Sequence, residues 1–394
     1  MTDSTSSRSL PAGLPPLEPE AQDHQRAVQD FLKAQIQESP NGFLPFEQWM
    51  HHALYAPALG YYAAGSAKFG GETLSGDFTT SPELTPMFGK ALASQVAQVL
   101  QASDSVTVLE FGAGSGALAA SLIPALRELG IEPKYRIMEV SADLRERQFD
   151  RLTSVQADVQ WLDALPETFE GCVVANEVLD AMPVSLFRWQ EDGALQELGV
   201  VCTDDGFAMA QHPASPAMTQ VLTERMPAYP GYQSEINLQA EAWIRAMGTW
   251  LHRGAALLID YGFPRHEYYH PQRAEGTLMC HFRHHAHGDA LAYPGLQDIT
   301  AHVDFTAMAD AALEAGLDVL GYTSQARFLL NCDLMSHLPL NGATEGVAQA
   351  AMLAAVQKLL SEAEMGELFK VLAIAKNIDG PLLGFRQGDR RHRL

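Results

Sequence analysis

Cysteine, basic side chains and long apolar runs are all scarce in this chain of 394 residues. The four cysteines, Cys172, Cys202, Cys280 and Cys332, lie far apart and form no Cys-x-x-Cys pair. This spacing favours reduced thiols over a disulfide framework and predicts a cytoplasmic protein. No apolar run reaches the roughly 18 residues of a membrane-spanning helix, so membrane insertion is not expected.

Positive charge is in short supply as well. Lys and Arg together number 26 against 48 Asp and Glu, which gives a formal net charge of −22. Nonspecific binding to nucleic acid or to anionic membranes relies on clustered Lys and Arg, so the charge argues against both, whereas a basic protein partner is compatible with it. The first 24 residues are rich in Ser, Pro and acids. They have the features of neither a signal peptide nor a transit peptide and are expected to form a disordered tail.

Apolar strand candidates alternate with helical runs through the middle of the chain, which predicts an α/β fold with a doubly wound parallel sheet. Two stretches interrupt the alternation. Asp-Gly pairs within 185–210 predict hairpin turns, and the His-, Arg- and Tyr-rich stretch 263–298 predicts a long functional loop. The predicted organisation is a disordered tail at 1–24, an N-terminal helical region with a cofactor-covering loop at 25–103, a core built from 104–184, 232–262 and 299–378, an antiparallel insertion at 185–231, and a substrate-side loop or lid at 263–298.

Periodicity and punctuation locate the individual elements. Val28, Phe31, Leu32 and Ile36 share one helical face, and Ser81 before Pro82 is typical of an N-cap followed by proline at the first helical position. Helices are predicted at 26–37, 43–54, 81–100, 117–129 and 344–362, and strands at 106–109, 135–138, 159–162, 172–175, 255–259, 317–324 and 369–376.

The most informative stretch reads Val108-Leu109-Glu110-Phe111-Gly112-Ala113-Gly114-Ser115-Gly116. A predicted strand precedes the glycines and a predicted helix follows them. Glycines let the backbone approach a ligand closely, and a helix N-terminus offers free N–H groups. The pattern is typical of a site for a nucleotide-type cofactor.

Two cofactors compete for this turn. Gly112, Gly114 and Ala117 satisfy the alanine variant of the dinucleotide fingerprint. A site for S-adenosylmethionine (SAM) resembles Glu/Asp-x-Gly-x-Gly-x-Gly, and Glu110 occupies the acid position, where a carboxylate suits the ammonium group of SAM better than a pyrophosphate. Glu139, at the end of the next strand, can bind the ribose hydroxyls of either cofactor. Glu110 therefore favours SAM, and NAD stays the alternative.

Polar side chains follow the predicted strands at the edge where α/β sheets bind ligands. Asp163 and Asn176 are predicted to contact the cofactor, with Asp163 near the adenine. Glu177 and Asp180 are candidates to hold an acceptor amine or guanidinium, and Asp260 ends the fifth strand. In the structural alternative, Asn176 caps a helix and Asp180 favours its first turn.

Three further features contain residues that could form sites. Gly76, Asp77 and Thr80 belong to a turn-rich loop that is predicted to cover the cofactor. The alternative is that the same residues only connect a loop to the start of the following helix and cap it. His302 is a candidate base or orienting group, and a hydrogen-bonded structural histidine is the alternative. The run from Cys280 to His287 lacks the ligand spacing of a structural zinc site, so no metal is expected.

The chain resembles the MidA family of SAM-dependent methyltransferases from about Phe43 to Ala375. The resemblance rests on many blocks in one order. They are Leu54-Tyr55-Ala56-Pro57 with Gly60-Tyr61-Tyr62, Gly76-Asp77-Phe78-Thr79-Thr80-Ser81-Pro82-Glu83, Phe88-Gly89, Glu110 to Gly116, Glu139-Val140-Ser141 with Leu144-Arg145, Asn176-Glu177, Asp180-Ala181-Met182-Pro183, Asp260-Tyr261-Gly262, Gly276-Thr277-Leu278, Asp298 to Phe305 and Met365 to Val371.

The resemblance implies a class I, Rossmann-like methyltransferase fold that binds SAM. Its mitochondrial member is a complex I assembly factor and a protein arginine methyltransferase, so the family implies a protein acceptor, with a respiratory-complex subunit as one candidate. The leading hypothesis is methyl transfer to an arginine side chain, with Glu177, Asp180 and His302 as catalytic candidates. The alternatives are an assembly factor that binds SAM without catalysis and an NAD-dependent oxidoreductase. The oligomeric state is not predicted.

Overall fold

A computed structural model gives the fold, and residues 11, 13–64, 80–338 and 346–394 are described. The strands are β1 (Leu44–Pro45), β2 (Thr107–Phe111), β3 (Lys134–Met138), β4 (Asp158–Leu162), β5 (Phe169–Asn176), β6 (Ser185–Trp189), β7 (Leu195–Thr203), β8 (Gly206–Pro213), β9 (Gln233–Ile236), β10 (Leu251–Phe263), β11 (Met279–Phe282), β12 (His285–His287), β13 (Asp298–Thr300), β14 (Val303–Asp304), β15 (Asp318–Ser324) and β16 (Phe369–Lys376). The α-helices are α1 (Pro19–Glu38), α2 (Phe46–Tyr55), α3 (Ser81–Leu84), α4 (Met87–Ser103), α5 (Ala117–Glu128), α6 (Ala142–Thr153), α7 (Pro216–Arg225), α8 (Leu238–Trp250), α9 (Arg265–Tyr268), α10 (Phe305–Glu314), α11 (Gln325–Asn331), α12 (Gly346–Leu360) and α13 (Met365–Leu368).

The described chain divides into two compact units. The first unit combines the described residues up to 64 with Ala181–Gln239 and His266–His302, and the second combines the described residues from 80 to Asp180 with Ala240–Arg265 and Val303–Leu394. The segment 80–103, assigned from the sequence to an N-terminal helical region, therefore clusters with the second unit. None of the described helices is both long enough and apolar enough to cross a membrane.

The second unit is built on a mixed sheet. Its strands run in the order β15-β16-β10-β5-β2-β3-β4, with β14 paired to β10. Neighbouring strands from β10 to β4 are parallel, whereas β16 is antiparallel to both β10 and β15. The predicted sheet of purely parallel strands is therefore wrong at one edge. Strands buried on both faces read as continuous apolar runs whichever way they point, so the composition of β16 carried no directional signal.

Apolar side chains fill both faces of this sheet. Val173 and Val174 on β5, and Leu257 and Leu258 on β10, are fully buried although they alternate between faces. Helices α4 and α5 pack closely against each other, because a Cβ on Gly89 of α4 would lie 2.0 Å from Ser121 Oγ of α5. A rigid sheet of this kind fixes the carboxyl ends of its parallel strands, where the candidate residues cluster.

The structure corrects two predicted segments, the disordered tail at 1–24 and the helix at 81–100. Helix α1 begins at Pro19, so it includes residues 19–24 of the expected tail. The predicted helix at 81–100 is two helices, because Thr85 is extended and ends α3 before α4 begins. Ser81 is not an N-cap. It lies inside α3, and its hydroxyl donates to Gln325 at 3.1 Å.

The first unit contains the predicted antiparallel meander. Strands β6, β7 and β8 pair in sequence, and the sheet order is β1-β7-β6-β9 with β8 on β7. The prediction of a long loop at 263–298 is wrong, because this stretch holds α9 and most of a sheet ordered β12-β11-β13. Strands as short as His285–His287 contain too few residues to show the alternation of apolar and polar side chains that predicts a strand.

Candidate active site

The glycine turn has the predicted strand, turn and helix on either side. Strand β2 ends at Phe111 and α5 begins at Ala117. Between them, φ is +61° at Gly112, +54° at Gly114 and +79° at Gly116, a left-handed conformation that side chains with a Cβ disfavour. A Cβ on Gly114 would meet no described atom within 4 Å. At Gly114, therefore, the turn presents bare backbone with no described residue in front of it, as a cofactor cradle requires.

A cluster of polar side chains that was not predicted from the sequence holds this turn at Ser115. Ser115 donates a hydrogen bond to Glu83 on α3, and Arg151 on α6 donates to Ser115. Arg151 Nη1 also lies 3.2 Å from Glu83 Oε1. Because both charged groups are partly exposed, the ion pair adds little stability. The hydrogen bonds of Ser115 with Glu83 and Arg151 hold its side chain from two sides.

Glu110 lies inside β2 instead of ending it and is only 3% exposed. Tyr135 on β3 donates a hydrogen bond to its Oε2 at 2.7 Å. Burial raises the pKa of Glu110 to about 7, the charge of Glu139 adds to the rise, and the Tyr135 hydrogen bond opposes it. Its predicted contact with the ammonium group of SAM stays a prediction.

The raised pKa of Glu110 makes the stability of the fold depend on pH. A carboxyl whose pKa rises on folding stabilises fully below its unfolded pKa, and this contribution is lost as the pH rises through about 7. The free energy of unfolding of Glu110→Gln, relative to that of the wild type, should therefore rise by up to about 3 kcal/mol when the pH is raised from 5 to 8.5. Urea unfolding at both pH values measures this. Glu170→Gln, at an exposed position of β5, is the control. A stability difference between Glu110→Gln and wild type that is the same at both pH values would contradict the raised pKa of Glu110.

Glu139 stands at the carboxyl end of β3 and is 5% exposed. Its carboxylate accepts from the backbone N–H of Ser141 at 3.0 Å and from Gln148 Nε2 at 3.1 Å. Burial raises its pKa, against the hydrogen bonds from Ser141 and Gln148. A carboxylate has about four acceptor positions, so capacity remains for ribose hydroxyls. The next residue, Val140, is 78% exposed, an apolar surface beside the turn that sequence reasoning did not single out.

Gln148 on α6 joins the turn to this acid. Its Nε2 donates to the Gly114 carbonyl at 2.9 Å as well as to Glu139, and its Oε1 accepts from Trp161 Nε1 at 2.7 Å. The side chain is fully buried. No motif marks Gln148 in the sequence, because its partners come from three separate elements.

Asp163 lies just beyond β4, and its side chain is 87% exposed. Its carboxylate pairs with Arg145 Nη1 at 2.6 Å. Arg145 also donates to the carbonyls of Glu139 and Leu162, so it ties the ends of β3 and β4 together. The predicted adenine contact of Asp163 is untested.

Three more polar candidates lie at or just after the end of β5. Asn176 is the last residue of β5, and its Nδ2 donates to Glu177 Oε1 at 2.9 Å. Asn176 Oδ1 is buried and has no partner among the described residues, which leaves an acceptor for a ligand. Glu177 has φ +55°, and Asp180 is 2% exposed and accepts from the Tyr261 hydroxyl. Asp180 does not open a helix, which removes the structural alternative for it.

The remaining predicted site residues are Gly76, Asp77, Thr80 and His302. Thr80 immediately precedes α3, and Gly76 and Asp77 lie outside the described residues. His302 belongs to the first unit, where its side chain is half-buried and its backbone N–H donates to Thr277 Oγ1 at 2.9 Å. Within the described ranges, no three His, Cys, Asp or Glu side chains group so as to hold a metal ion.

The left-handed glycine turn, the buried acid at the end of β3 and the orphaned Asn176 oxygen fit an adenosyl cofactor with an amino-acid moiety. This arrangement suits a SAM-binding α/β protein. Residues 91–323, more than half of the chain, match the family model described as S-adenosyl-L-methionine-dependent methyltransferase. The chain belongs to this family, and its cofactor is SAM.

Similar proteins agree with this assignment. A crystal structure of a protein from Burkholderia thailandensis bound to S-adenosyl-homocysteine is 49% identical, covers 97% of this chain and 100% of its own, and has a TM-score of 0.91. Protein arginine methyltransferase NDUFAF7, mitochondrial, from Danio rerio is 25% identical over 84% of this chain and 83% of its own. The Drosophila melanogaster homolog is 28% identical over 87% and 85%. The names of the Danio and Drosophila relatives say that those two proteins are mitochondrial. A cytoplasmic setting for this chain stays a prediction.

Proposed function

We propose that the protein is a class I methyltransferase that transfers a methyl group from SAM to an arginine side chain of a partner protein. The single observation that carries the acceptor proposal is the pair of carboxylates, Glu177 and Asp180, directly after β5. The relatives named protein arginine methyltransferase support it. The strand order and the reversed β16 support the class I assignment.

In this proposal the second unit holds the cofactor. Backbone at Gly112, Gly114 and Gly116 approaches it closely, and the N-terminus of α5 faces it. Glu139 would accept the ribose hydroxyls, and Val140 would supply an apolar contact for the adenine, with Asp163 near its edge. Glu110 would meet the amino end, and Asn176 Oδ1 would accept one hydrogen bond.

Glu177 and Asp180 would hold the acceptor. An arginine guanidinium is a planar fork of donors that carboxylates bind bidentately. Bound SAM supplies an electrophilic methyl group. The carboxylates would orient one guanidinium nitrogen toward the methyl group and stabilise the positive charge. The N–CH3 bond would form as the S–CH3 bond breaks, S-adenosylhomocysteine would leave, and the nitrogen would release one proton to solvent or to a nearby base. Alignment and electrostatics would provide most of the rate enhancement. The role predicted for His302, orienting the acceptor or accepting a proton, stays a prediction.

Methyl labelling of a proteome from a strain that lacks this protein tests the proposal. The purified protein and isotopically labelled methyl-SAM are added to the lysate, and labelled peptides are sequenced by mass spectrometry. We expect label on arginine nitrogens of few proteins, and respiratory-complex subunits are the first acceptors to examine. Label confined to other residues or to small molecules would contradict the arginine proposal. SAM binding without any label would favour a non-catalytic assembly factor.

A further inference from the structure

Asp260 stands at the carboxyl side of the sheet, on β10 beside the end of β5. Its register partner across the antiparallel pair is Lys370, and Ile259 pairs with Asn176 in the parallel direction. The side chain is 1% exposed. From the sequence Asp260 was one of several acids at strand ends, with no role of its own.

The Asp260 carboxylate accepts backbone N–H groups from the turn that follows Glu177. Its Oδ2 accepts from Val178 at 3.2 Å, Leu179 at 2.9 Å and Asp180 at 3.2 Å. Its Oδ1 accepts from the N–H of Tyr261 at 2.9 Å. Three successive N–H groups that converge on one oxygen form a concave site for an acceptor, and the Asp260 side chain fills it. Burial, with the charges of Asp180 and Glu177, raises the pKa of Asp260, and the backbone hydrogen bonds oppose the rise.

This arrangement sets the backbone of Glu177. Its φ of +55° is uncommon for a residue with a side chain, and such conformations persist only where surrounding contacts impose them. Two contacts do so here. The Glu177 N–H donates to the Ile259 carbonyl at 2.9 Å, and Asp260 holds the next three residues. One residue further along, Tyr261 donates its hydroxyl to Asp180 while its ring packs edge-on against Phe369.

We propose that Asp260 and Tyr261 are positioning residues for the acceptor carboxylates: Asp260 holds the left-handed Glu177 backbone through the 178–180 turn, and Tyr261 orients Asp180. This inference rests on the proposed function. It adds a specific cause for the direction of the two carboxylates, which the sheet alone does not determine.

The principal test is Asp260→Asn, which keeps the shape of the side chain and replaces one acceptor oxygen with an NH2 group. Whichever way the amide turns, its NH2 group faces a backbone N–H, so at least one of these hydrogen bonds is lost and a buried donor is left without its acceptor. Hydrogen–deuterium exchange of the peptide that covers 176–183 should speed up about tenfold or more, while the rest of β5 stays protected. We expect kcat to fall about 10- to 100-fold and the Kd for SAM to change less than about threefold.

A double variant separates positioning from general destabilisation. If Asp260 acts through Glu177, then adding Asp260→Asn to Glu177→Gln should lower kcat by less than about threefold more. Multiplied losses in the double variant, or unchanged exchange at 176–183 in the single variant, would overturn the proposal. Asp318→Asn, an exposed aspartate on β15 of the same sheet, is the matched control and should change neither quantity.

Tyr261→Phe gives a second test that does not disturb the turn, in case Asp260→Asn fails to fold. It removes only the hydroxyl, so we expect kcat to fall about tenfold with the Kd for SAM and the melting temperature nearly unchanged. An unchanged kcat would overturn the role of Tyr261. The exchange measurement needs no acceptor. A protein that shows the Asp260→Asn exchange effect but methylates no arginine would therefore refute the proposed function and leave the positioning of Glu177 intact.

Discussion

Gly114→Val is expected to abolish SAM binding, with the Kd weakened at least about 100-fold. Gly114 has φ +54°, a conformation that costs a residue with a Cβ roughly 1–2 kcal/mol and a β-branched residue more. The new side chain would also enter the open space in front of the turn, where no described atom lies within 4 Å. Calorimetry with SAM and with S-adenosylhomocysteine measures the loss, and circular dichroism checks the fold.

Gly130 provides a closely matched control for that experiment. It follows α5 in the same unit, has φ +80° and likewise has no described atom within 4 Å of a built Cβ. Gly130→Val therefore imposes comparable backbone strain at the other end of the helix. It should retain SAM affinity within about threefold. If the two valine variants bind SAM equally well, the turn at Gly112–Gly116 is not the cofactor site.

Glu177→Gln is expected to lower methyl transfer to the acceptor about 100- to 1,000-fold in kcat/KM. The amide keeps the size of the side chain but removes the charge that would hold a guanidinium, and charged hydrogen bonds are about twice as strong as neutral ones. SAM affinity should change little, since Glu177 is not part of the glycine turn. Initial rates with labelled SAM and the identified acceptor, together with calorimetry, separate the two quantities.

Glu170→Gln changes an exposed glutamate near the start of β5, the strand that Glu177 follows, and this variant should transfer methyl groups at the wild-type rate. Full activity of Glu177→Gln would exclude this residue from acceptor binding. Complementation adds a separate readout. If a strain that lacks the protein is rescued equally by wild type and Glu177→Gln, the biological role does not depend on catalysis through Glu177.

The sheet and the cofactor turn were predictable because both depend on local signals. Buried strands such as β2, β3 and β5 show as apolar runs, and the glycine spacing between β2 and α5 reports a left-handed turn directly. The direction of β16 was not predictable, because a strand buried on both faces has the same composition in either direction. The short strands between 279 and 300 fall below the length at which periodicity is visible.

For the site, the sequence predicted chemical types better than contacts. Glu139 and Asn176 stand at strand ends as expected, since a strand boundary and a polar residue are both local features. The contacts of Glu110 and Asp163 were not foreseen: Tyr135 covers the first and Arg145 pairs with the second. Gln148, Arg151 and Asp260 act on residues far away in the chain, so only the folded structure brings their partners together.

The buried Gln148 amide has a consequence for redesigning cofactor preference. The same side chain supports the Gly114 carbonyl, the Glu139 carboxylate and the Trp161 indole, and its Cα and side chain lie 3.5 Å from a Cβ built on Gly116. Enlarging the site for a bulkier sulfonium analogue from this side would therefore disturb the turn and the acid at the end of β3 together. Libraries that vary positions 148 and 161 jointly, with compensating changes at 139, suit this architecture better than single-site saturation.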